Sequence, residues 1–239
     1  MESTDVLVIG SGIAGLCAAI EAARTGATVT VASAGKTMSG SSFFPGTWGL
    51  GLIGPVNEDD EQDLIDTILA VGGGVADPEL VQAFVHGIPQ AIDWLEQDLG
   101  VELQRPQSAK SAQQKQFIPC FDHKTRMWRG LTRKPLEDAL TTWIESLGIR
   151  LLPRHELIDL VEDTNGRITG TVLYDLTENR IVPFAAEATV IAAGGTGGLF
   201  ERSLTSADVL SSSQAIALAH GATPVSYTHL RAHETLMNL

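Results

Sequence analysis

The feature that most constrains the fold of this chain is a glycine-rich turn between a short apolar segment and an alanine-rich segment. After Asp5, residues 6–9 form an apolar run that passes directly into Gly10-Ser11-Gly12-Ile13-Ala14-Gly15, and a β-branched run follows at 27–32. In such a strand–turn–helix, the first glycine permits the tight turn, the second lets the backbone approach a pyrophosphate, and the third lets the helix pack close to the strand. Because both flanking segments have the required character, the motif predicts a dinucleotide site in preference to a plain structural turn, with phosphates at the helix N-terminus.

Composition narrows the class of protein. The 239 residues are 44% hydrophobic and include 24 glycines, which is typical of a compact α/β enzyme. The net charge of −13 argues against nucleic acid or an anionic membrane as the main partner. No apolar run is long enough for a membrane span, and the N-terminus lacks the basic region of a secretory signal, so we expect a cytoplasmic protein. Cys17 and Cys120 form no C-x-x-C, so the sequence predicts neither a disulfide framework nor a metal site.

The pattern of apolar residues predicts a doubly wound α/β fold with a mostly parallel sheet. A hairpin is expected around Asn165-Gly166, which is a strong turn signal. Residues 33–55 are too polar and too rich in glycine for regular elements, and we interpret them as a long functional loop in preference to a flexible or disordered surface loop. The predicted strands are 6–9, 27–32, 149–153, 157–161, 168–174 and 189–193, and the predicted helices are 13–24, 57–72, 77–100, 134–147 and 211–220.

Four stretches of the sequence resemble the FAD-binding domain of the succinate dehydrogenase, fumarate reductase and L-aspartate oxidase flavoprotein family. The intervening Gly72-Gly73-Gly74 and Asp77-Pro78 are most similar to the aspartate oxidase branch. Together the similarity covers residues 5 to about 222. The four stretches are residues 5–16, residues 39–49 with Ser39-Gly40-Ser41-Ser42 and Gly46-Thr47-Trp48-Gly49, Gly130-Leu131-Thr132 with the helix that follows and Gly148-Ile149, and Val190-Ile191-Ala192-Ala193-Gly194-Gly195.

The resemblance implies a Rossmann-like FAD-binding fold with a β-hairpin insertion and flanking helices, incomplete at its C-terminus. It implies an FAD-binding domain over 1–224, the N-terminal part of a larger flavoprotein, with a helical insertion at about 57–118. Some members attach FAD through a histidine after the second strand, and residues 33–54 contain none, so we expect non-covalent FAD. The cofactor-binding residues implied are Gly10, Ser11, Gly12, Ile13, Ala14, Gly15, Ser33, Ser39, Gly40, Ser41, Ser42, Gly46, Thr47, Gly49, Ala193, Gly194 and Gly195.

Two positions depart from the family pattern. The second strand usually ends in an acidic residue that binds the adenosine ribose, and here Ala32 or Ser33 stands there. Family members often carry Gly-Asp-Gly before the last helix, and here Ser211-Ser212-Ser213 replaces it, with Ser212 in the acidic place. A serine hydroxyl can bind the ribose less strongly than a carboxylate.

Two functions from different classes follow from the resemblance. The first is an FAD-dependent oxidoreductase that transfers hydride between FAD and a small carboxylate of the aspartate or succinate/fumarate type, and passes electrons to oxygen, fumarate or an electron-acceptor subunit. The second, suggested by the serine replacements, is a flavin-binding module or electron-transfer subunit without substrate chemistry of its own. The catalytic residues of the family are expected beyond the end of this chain, so we expect the fragment itself to be inactive.

A basic segment near the middle of the chain has two interpretations. Arginine binds carboxylates through two hydrogen bonds, so Arg126, Arg129 and Arg133, with His123 and Lys124, could bind a dicarboxylate. Runs of charge usually form a solvated face, and we favour that interpretation here.

The last fifteen residues differ in character from the rest. Val225-Ser226-Tyr227-Thr228-His229-Leu230-Arg231-Ala232-His233-Glu234-Thr235 resembles the translation of a transposase sequencing adapter. Our hypothesis is that residues 225–239 are a non-native tail and that the native chain is interrupted in mid-domain. Under this hypothesis His229 and His233 are not a metal-binding pair. The hypothesis would be excluded if the source DNA contained an uninterrupted gene through the codons for residues 225–235.

Overall fold

The computed structural model describes residues 2–44, 51–108, 110–112, 124–203, 205–206 and 208–223. Within them, the strands in chain order are β1 (Glu2–Ile9), β2 (Val29–Ser33), β3 (Gly51–Gly54), β4 (Met127–Gly130), β5 (Arg150–Pro153), β6 (His155–Glu162), β7 (Ile168–Asp175) and β8 (Arg180–Ile191). The helices are α1 (Ile13–Arg24), α2 (Glu58–Val71), α3 (Pro78–Asp93), α4 (Arg133–Ser146) and α5 (Ser212–Ala219).

The chain divides into two compact units. Unit one contains Met1–Trp48 and Glu137–Ala222, and unit two contains Gly49–Leu136. Helices α2 and α3, which fall within the helical insertion predicted at about 57–118, lie in unit two. The bounds of the insertion, the extent of the FAD-binding domain and the non-native tail stay predictions. Among the described residues, no helix combines the length and the apolar character needed to cross a bilayer.

Unit one is built on a six-stranded sheet with the order β5-β2-β1-β8-β7-β6. The first four strands of this order, β5, β2, β1 and β8, are parallel, and β7 runs antiparallel to both β8 and β6. The parallel centre has helices to bury it, as such sheets require, and α1 contributes the buried Leu16, Ala19 and Ile20. The mixed α/β class and the mostly parallel sheet predicted from the sequence are confirmed.

Strand β8 is longer than its predicted range of 189–193. It begins at Arg180 because its first half pairs with β7, at Tyr174 opposite Ile181, while its second half pairs with β1, at Val8 opposite Val190. Pro183 in the first half and Glu187 just after it interrupt the apolar pattern, and this explains why the sequence reveals only the last part of the strand.

The predicted hairpin is present as β6 and β7, but its turn is not the two-residue type. Gly166 has a positive φ of 77°, whereas Asn165 does not, so the loop is a longer one organised by Asp163. The Asp163 carboxylate accepts hydrogen bonds from the N–H groups of Asn165 at 2.8 Å and Arg167 at 3.0 Å. The hydrogen bond from Arg167, followed by that from Asn165, lowers the pKa of Asp163.

Unit two contains α2, α3 and a short antiparallel pair of strands, β3 and β4. Strand β3 lies in the region that the sequence predicts to be without regular elements, so that prediction is wrong at Gly51–Gly54. The two helices begin as predicted, because the side chains of Asn57 and Asp77 cap their first N–H groups. Helix α3 ends earlier than expected, at Asp93, and a π-helical turn over Trp94–Asp98 continues it.

The ribbon of β3 and β4 is shaped around one indole ring. Trp128 is only 6% exposed, and its ring occupies the space that a larger residue at position 51 or 130 would need for its side chain. A Cβ atom built on Gly130 would approach Trp128 Cζ2 to 2.9 Å, and one built on Gly51 would come closer still to the ring. Both glycines are therefore required by the packing of Trp128.

Candidate functional site

The glycine-rich turn of unit one lies at the carboxyl ends of the parallel strands. The Gly10 N–H donates to Ala32 O at 2.8 Å, and the Ala192 N–H donates to Ile9 O at 2.7 Å, so the ends of β2, β1 and β8 are held together. Ligands of open α/β sheets bind at this edge. The turn predicted from the sequence is thus in the position that a nucleotide site requires.

The first and third glycines of the motif are packed against backbone. Gly10 has a φ of 114°, and a Cβ atom there would lie 2.6 Å from Ala192 C and closer still to its oxygen. A Cβ atom on Gly15 would lie 3.0 Å from Gly10 C, and again closer to the carbonyl oxygen. Neither neighbour is a side chain that can rotate away, so both positions accept only glycine.

The second glycine faces a serine from the loop after β2. A Cβ atom on Gly12 would lie 3.2 Å from Ser42 Oγ, and Gly12 itself has an ordinary φ of −74°. The same Ser42 hydroxyl accepts a hydrogen bond of 3.2 Å from the Ile13 N–H, at the first residue of α1. The structure therefore brings predicted residues from two separate motifs together at one helix N-terminus.

The serine between the first two glycines is buried without a partner. Ser11 is 4% exposed, and its Oγ has no hydrogen-bond partner among the residues that the structure describes. Burying a hydroxyl without a hydrogen bond costs free energy, so an unpaired hydroxyl within the turn is the kind of group that a ligand satisfies.

The loop after β2 is held by an acidic residue that the sequence analysis did not select. Ser39 Oγ donates to Asp208 Oδ2 at 2.9 Å, and a Cβ atom on Gly35 would lie 3.3 Å from Asp208 Cγ. The other oxygen, Asp208 Oδ1, is buried with no partner in the described part of the chain. At the start of the loop, the Ser33 hydroxyl at the end of β2 donates to Gly35 O at 3.3 Å.

The turn after β8 is fixed by a glutamine that sequence reasoning also missed. The side chain of Gln214 in α5 donates to Gly194 O, and Gly194 has a positive φ of 80°. Ala193 packs against the apolar core of the sheet, whereas a Cβ atom on Gly195 would have open space. Gln214 carries no motif, and only the fold brings it to the turn.

Helix α5 is attached to β6 at both of its ends. Ser212, which stands in the family's acidic place, donates to Glu156 Oε1 at 3.4 Å. His220 contacts Glu162 and lies 2.9 Å from Asp159 Oδ1. The hydrogen bond to Asp159, then that to Glu162, raises the pKa of His220 above its ordinary value of 6.5. The position of Gln214 thus depends on polar contacts between α5 and β6.

Some of the predicted residues lie outside the described residues. These are Gly46, Thr47 and Gly49 of the predicted flavin-binding loop, together with Trp48, Cys120, His123 and the C-terminal tail. Among the residues that are described, no group of three His, Cys, Asp or Glu side chains could hold a metal ion.

The thiol next to the turn is expected to be unreactive. Burial, with a smaller contribution from the charge of Glu21, raises the pKa of Cys17 to about 11 from 9.0. At neutral pH such a thiol has about one hundredth of the usual thiolate, so we expect iodoacetamide to alkylate Cys17 about a hundred times more slowly in the folded chain than in denaturant. Peptide mass spectrometry measures this directly, and equal rates in the two states would contradict the burial of the thiol.

The basic segment of unit two is not a solvated face, so the interpretation we favoured is wrong for its central residue. Arg126 is fully buried. It contacts Asp60, donates to Asp63 Oδ2 at 2.8 Å, and lies 3.4 Å from Thr67 Oγ1. Because Asp60 and Asp63 neutralise the charge of the buried guanidinium within unit two, Arg126 does not bind a substrate.

Comparison with known proteins shows which family the chain matches. A family model described as an FAD binding domain matches residues 5–230. The chain is 34% identical to the L-aspartate oxidase of Halobacterium salinarum over 98% of its own length and 46% of that protein. It is 31% identical to the 8-methylmenaquinol:fumarate reductase flavoprotein subunit of Wolinella succinogenes over 84% of its length and 32% of that protein. The chain therefore spans about a third to a half of these relatives.

Solved structures share the fold at lower identity. The 3-ketosteroid-Δ4-(5α)-dehydrogenase from Rhodococcus jostii superposes with a TM-score of 0.75 at 21% identity, over 93% of this chain and 55% of that one. The open conformation of a flavocytochrome c3 fumarate reductase gives a TM-score of 0.72 at 22% identity, over 93% and 41%. These likenesses show a common fold.

Proposed function

The chain belongs to the FAD-binding domain family, and from that premise we propose that it holds FAD non-covalently at the glycine-rich turn and serves hydride transfer between FAD and a small carboxylate. The observation that carries the cofactor assignment is the turn itself. Gly10 and Gly15 accept no side chain, Gly12 leaves its backbone accessible, and the Ser11 hydroxyl is buried without a partner.

The residues around the turn fit a dinucleotide of this kind. The first N–H groups of a helix have no acceptor within the helix, and they favour phosphate oxygens. Of the first four residues of α1, none is acidic, so no side-chain charge there opposes a phosphate. We assign the pyrophosphate to Gly10, Ser11, Gly12, Ile13, Ala14 and Gly15, the ribose to Ser33, and the flavin to Ser39, Gly40, Ser41, Ser42, Gly46, Thr47, Gly49, Ala193, Gly194 and Gly195.

Bound FAD supplies a group that accepts or donates hydride, and the chain supplies its position and surroundings. Ser39, held by Asp208, and Gly194, held by Gln214, fix two backbone segments for this purpose. The substrate class is proposed from the curated relatives, which are named as an aspartate oxidase and a fumarate reductase subunit. Aspartate and succinate/fumarate are the two substrates to test first.

The cofactor assignment is tested on the 239-residue chain. The purified protein should be yellow, and denaturation should release FAD that is identified by chromatography. A colourless protein that binds NADH with the same stoichiometry would overturn the assignment. The substrate assignment needs the natural protein, recovered by sequencing the source DNA through codon 225, and is measured as dye reduction with aspartate and with succinate.

Replacing the second glycine should abolish FAD binding while the fold survives. Gly12 has an ordinary backbone conformation, and its nearest side-chain neighbour is the mobile hydroxyl of Ser42. Gly12→Val should therefore lower the free energy of unfolding by no more than about 1–3 kcal/mol, but its side chain occupies the space through which the backbone meets the pyrophosphate. FAD titration, monitored by flavin fluorescence, measures the loss.

A matched control for this variant is Gly87→Val. Gly87 lies in α3, and a Cβ atom there would meet nothing within 4 Å. We expect this variant to bind FAD as the parent does. Retained FAD affinity in Gly12→Val would mean that the motif is a structural turn only.

A second candidate function is a flavin-binding module or electron-transfer subunit. The observation that favours it is that Ser212 stands in the acidic place of the family and bonds to Glu156 of the chain itself. The fumarate reductase relative is named as a subunit, and an electron-acceptor subunit would then be the partner. The natural protein would in this case bind FAD, show no dye reduction with either substrate, and be reduced by a partner subunit.

A further inference from the structure

We propose that Asp208 accepts a hydrogen bond from a ribose hydroxyl in the adenosine half of the dinucleotide, in place of the acidic residue that is missing at the end of β2. The inference rests on the proposed function for the class of ligand. The evidence for Asp208 itself comes from contacts within unit one.

The end of β2 lacks the charged group that usually binds the ribose. In dinucleotide-binding folds an acidic side chain at this place hydrogen-bonds a ribose hydroxyl, and here Ser33 stands there. Ser33 is 8% exposed, and its hydroxyl donates to Gly35 O at 3.3 Å. Ser33 therefore supplies no charged acceptor, and a ribose bound beside it would need one from elsewhere in the chain.

Asp208 comes to the same place from a distant part of the sequence. A Cβ atom on Gly35, two residues after Ser33, would lie 3.3 Å from Asp208 Cγ and 2.6 Å from Ser39 Oγ. Only a glycine at position 35 lets the carboxylate approach the backbone beyond β2 so closely. Asp208 Oδ2 accepts a hydrogen bond of 2.9 Å from Ser39 Oγ, and this bond holds the carboxylate against the loop.

The segment that carries Asp208 is anchored by its next residue. Val209 is 3% exposed, and its methyl groups would lie 3.9 Å from a Cβ atom on Gly40 and 3.3 Å from one on Gly194. Its carbonyl oxygen accepts a hydrogen bond of 2.9 Å from the Gly198 N–H. Val209 thus packs between the loop after β2 and the turn after β8, and it keeps Asp208 at the edge of the sheet where nucleotides bind.

The second oxygen of Asp208 has no donor. Oδ1 is buried, and within the described part of the chain no group hydrogen-bonds to it. A buried polar atom without a partner costs free energy, and an ionised carboxylate can only accept. The pyrophosphate of FAD has no proton to donate at neutral pH, whereas the ribose hydroxyls do. Because the carboxylate lies against the end of β2, where such folds bind the ribose, a ribose hydroxyl is the donor that fits.

The test removes the hydroxyl and the charge separately and together. The 239-residue chain, freed of bound flavin, is titrated by calorimetry with ADP, 2′-deoxy-ADP and 3′-deoxy-ADP, which carry the adenosine half of the dinucleotide. A hydrogen bond to a charged group predicts that at least one deoxy nucleotide binds roughly ten- to hundredfold more weakly than ADP. In Asp208→Asn, which has the same shape and still offers Ser39 a partner, that preference should be at least about fivefold smaller.

Asp163→Asn is the matched control. Asp163 is an exposed aspartate of unit one between β6 and β7, bonded to the N–H groups of Asn165 and Arg167, and this variant should keep the parent's preference for ADP. Circular dichroism checks that each variant folds. If Asp208→Asn does not fold, Asp208→Glu decides the test, because it keeps the charge but moves the carboxylate and should also reduce the preference.

FAD binding is titrated separately, so that the two proposals can fail independently. A chain that prefers ADP over a deoxy nucleotide through Asp208 but binds no FAD would refute the proposed function and support this inference. The inference is overturned, while FAD binding stands, by equal affinity for all three nucleotides, by an undiminished preference in the folded Asp208 variant, or by the absence of ADP binding.

Discussion

Gly10→Ala is expected to lower the free energy of unfolding of unit one by about 2–6 kcal/mol. The substitution combines two costs, because Gly10 has a φ of 114° and its Cβ atom would be 2.6 Å from Ala192 C and 3.0 Å from Ala193 N. A residue forced into such a conformation costs about 1–3 kcal/mol, and overpacking against a rigid neighbour costs about 1–3 kcal/mol more. The total free energy of unfolding of an ordinary domain is only about 5–15 kcal/mol.

Two further variants separate these costs. Gly15→Ala brings a Cβ atom against Gly10 O without a positive φ, so it tests the clash alone. Gly26→Ala has a φ of 94° and nothing within 4 Å, so it tests the backbone conformation alone and should cost about 1 kcal/mol. Urea unfolding followed by circular dichroism gives each free energy. Equal losses in Gly10→Ala and Gly26→Ala would show that β1 and β8 are not as close as described.

Arg126→Met should destabilise unit two strongly. Arg126 is fully buried between Asp60 and Asp63, and removal of one member of a buried ion pair costs about 3–5 kcal/mol. We expect the lower end of that range, because both carboxylates are partly exposed and Asp63 keeps Lys124 as a partner. Arg126→Lys should recover little, since one ammonium ion cannot reach both carboxylates in the same way.

Lys124→Met is the matched control for Arg126→Met. Lys124 pairs with the same Asp63 at 2.6 Å, but its side chain is 46% exposed, so its removal should cost at most about 1 kcal/mol. Hydrogen bonds from Lys124, and then from Arg126, hold the pKa of Asp63 below 3.8. A lowered pKa in the folded state gives stability that is present above 3.8 and lost as the pH falls through the folded value. Acid unfolding should therefore be less steep in Arg126→Met, and similar costs for the two variants would contradict the buried pair.

The parts of the fold that sequence predicted best are those with local causes. The turn at Gly10, the starts of the helices predicted from residues 57 and 77, and the hairpin at Gly166 each depend on a few neighbouring residues, whose backbone preferences are strong. Strand β3 was missed because four residues with glycine at both ends carry little pattern. Its existence depends on β4, which lies about 75 residues further along the chain.

In the candidate site, too, features with local causes were predicted and features that depend on distant residues were not. The glycines of the turn were predicted from spacing, but the contacts that hold the loops were not. Ser39 and Asp208 are 169 residues apart in the sequence, and Gln214 reaches Gly194 only because β8 ends beside α5. The basic segment was misjudged for a related reason: charge alone does not distinguish the buried Arg126, which has two carboxylate partners, from Arg129, which has none in the described residues.

The position of β1 in the sheet has a consequence for how the chain is made. Strand β1 pairs with β8, and Ile9 lies opposite Ile191, roughly 180 residues later. A ribosome adding about 5–20 residues per second needs roughly 10–40 seconds to cover that distance. The segment Gly49–Leu136 of unit two is continuous in sequence and can form during this interval. The turn at Gly10, in contrast, lacks its packing partner until Ala192 has been synthesised. A nascent chain should therefore be unable to capture its nucleotide until synthesis is nearly past β8, and the half-made sheet, with β1 exposed on one edge, is the stage most open to aggregation and to chaperones.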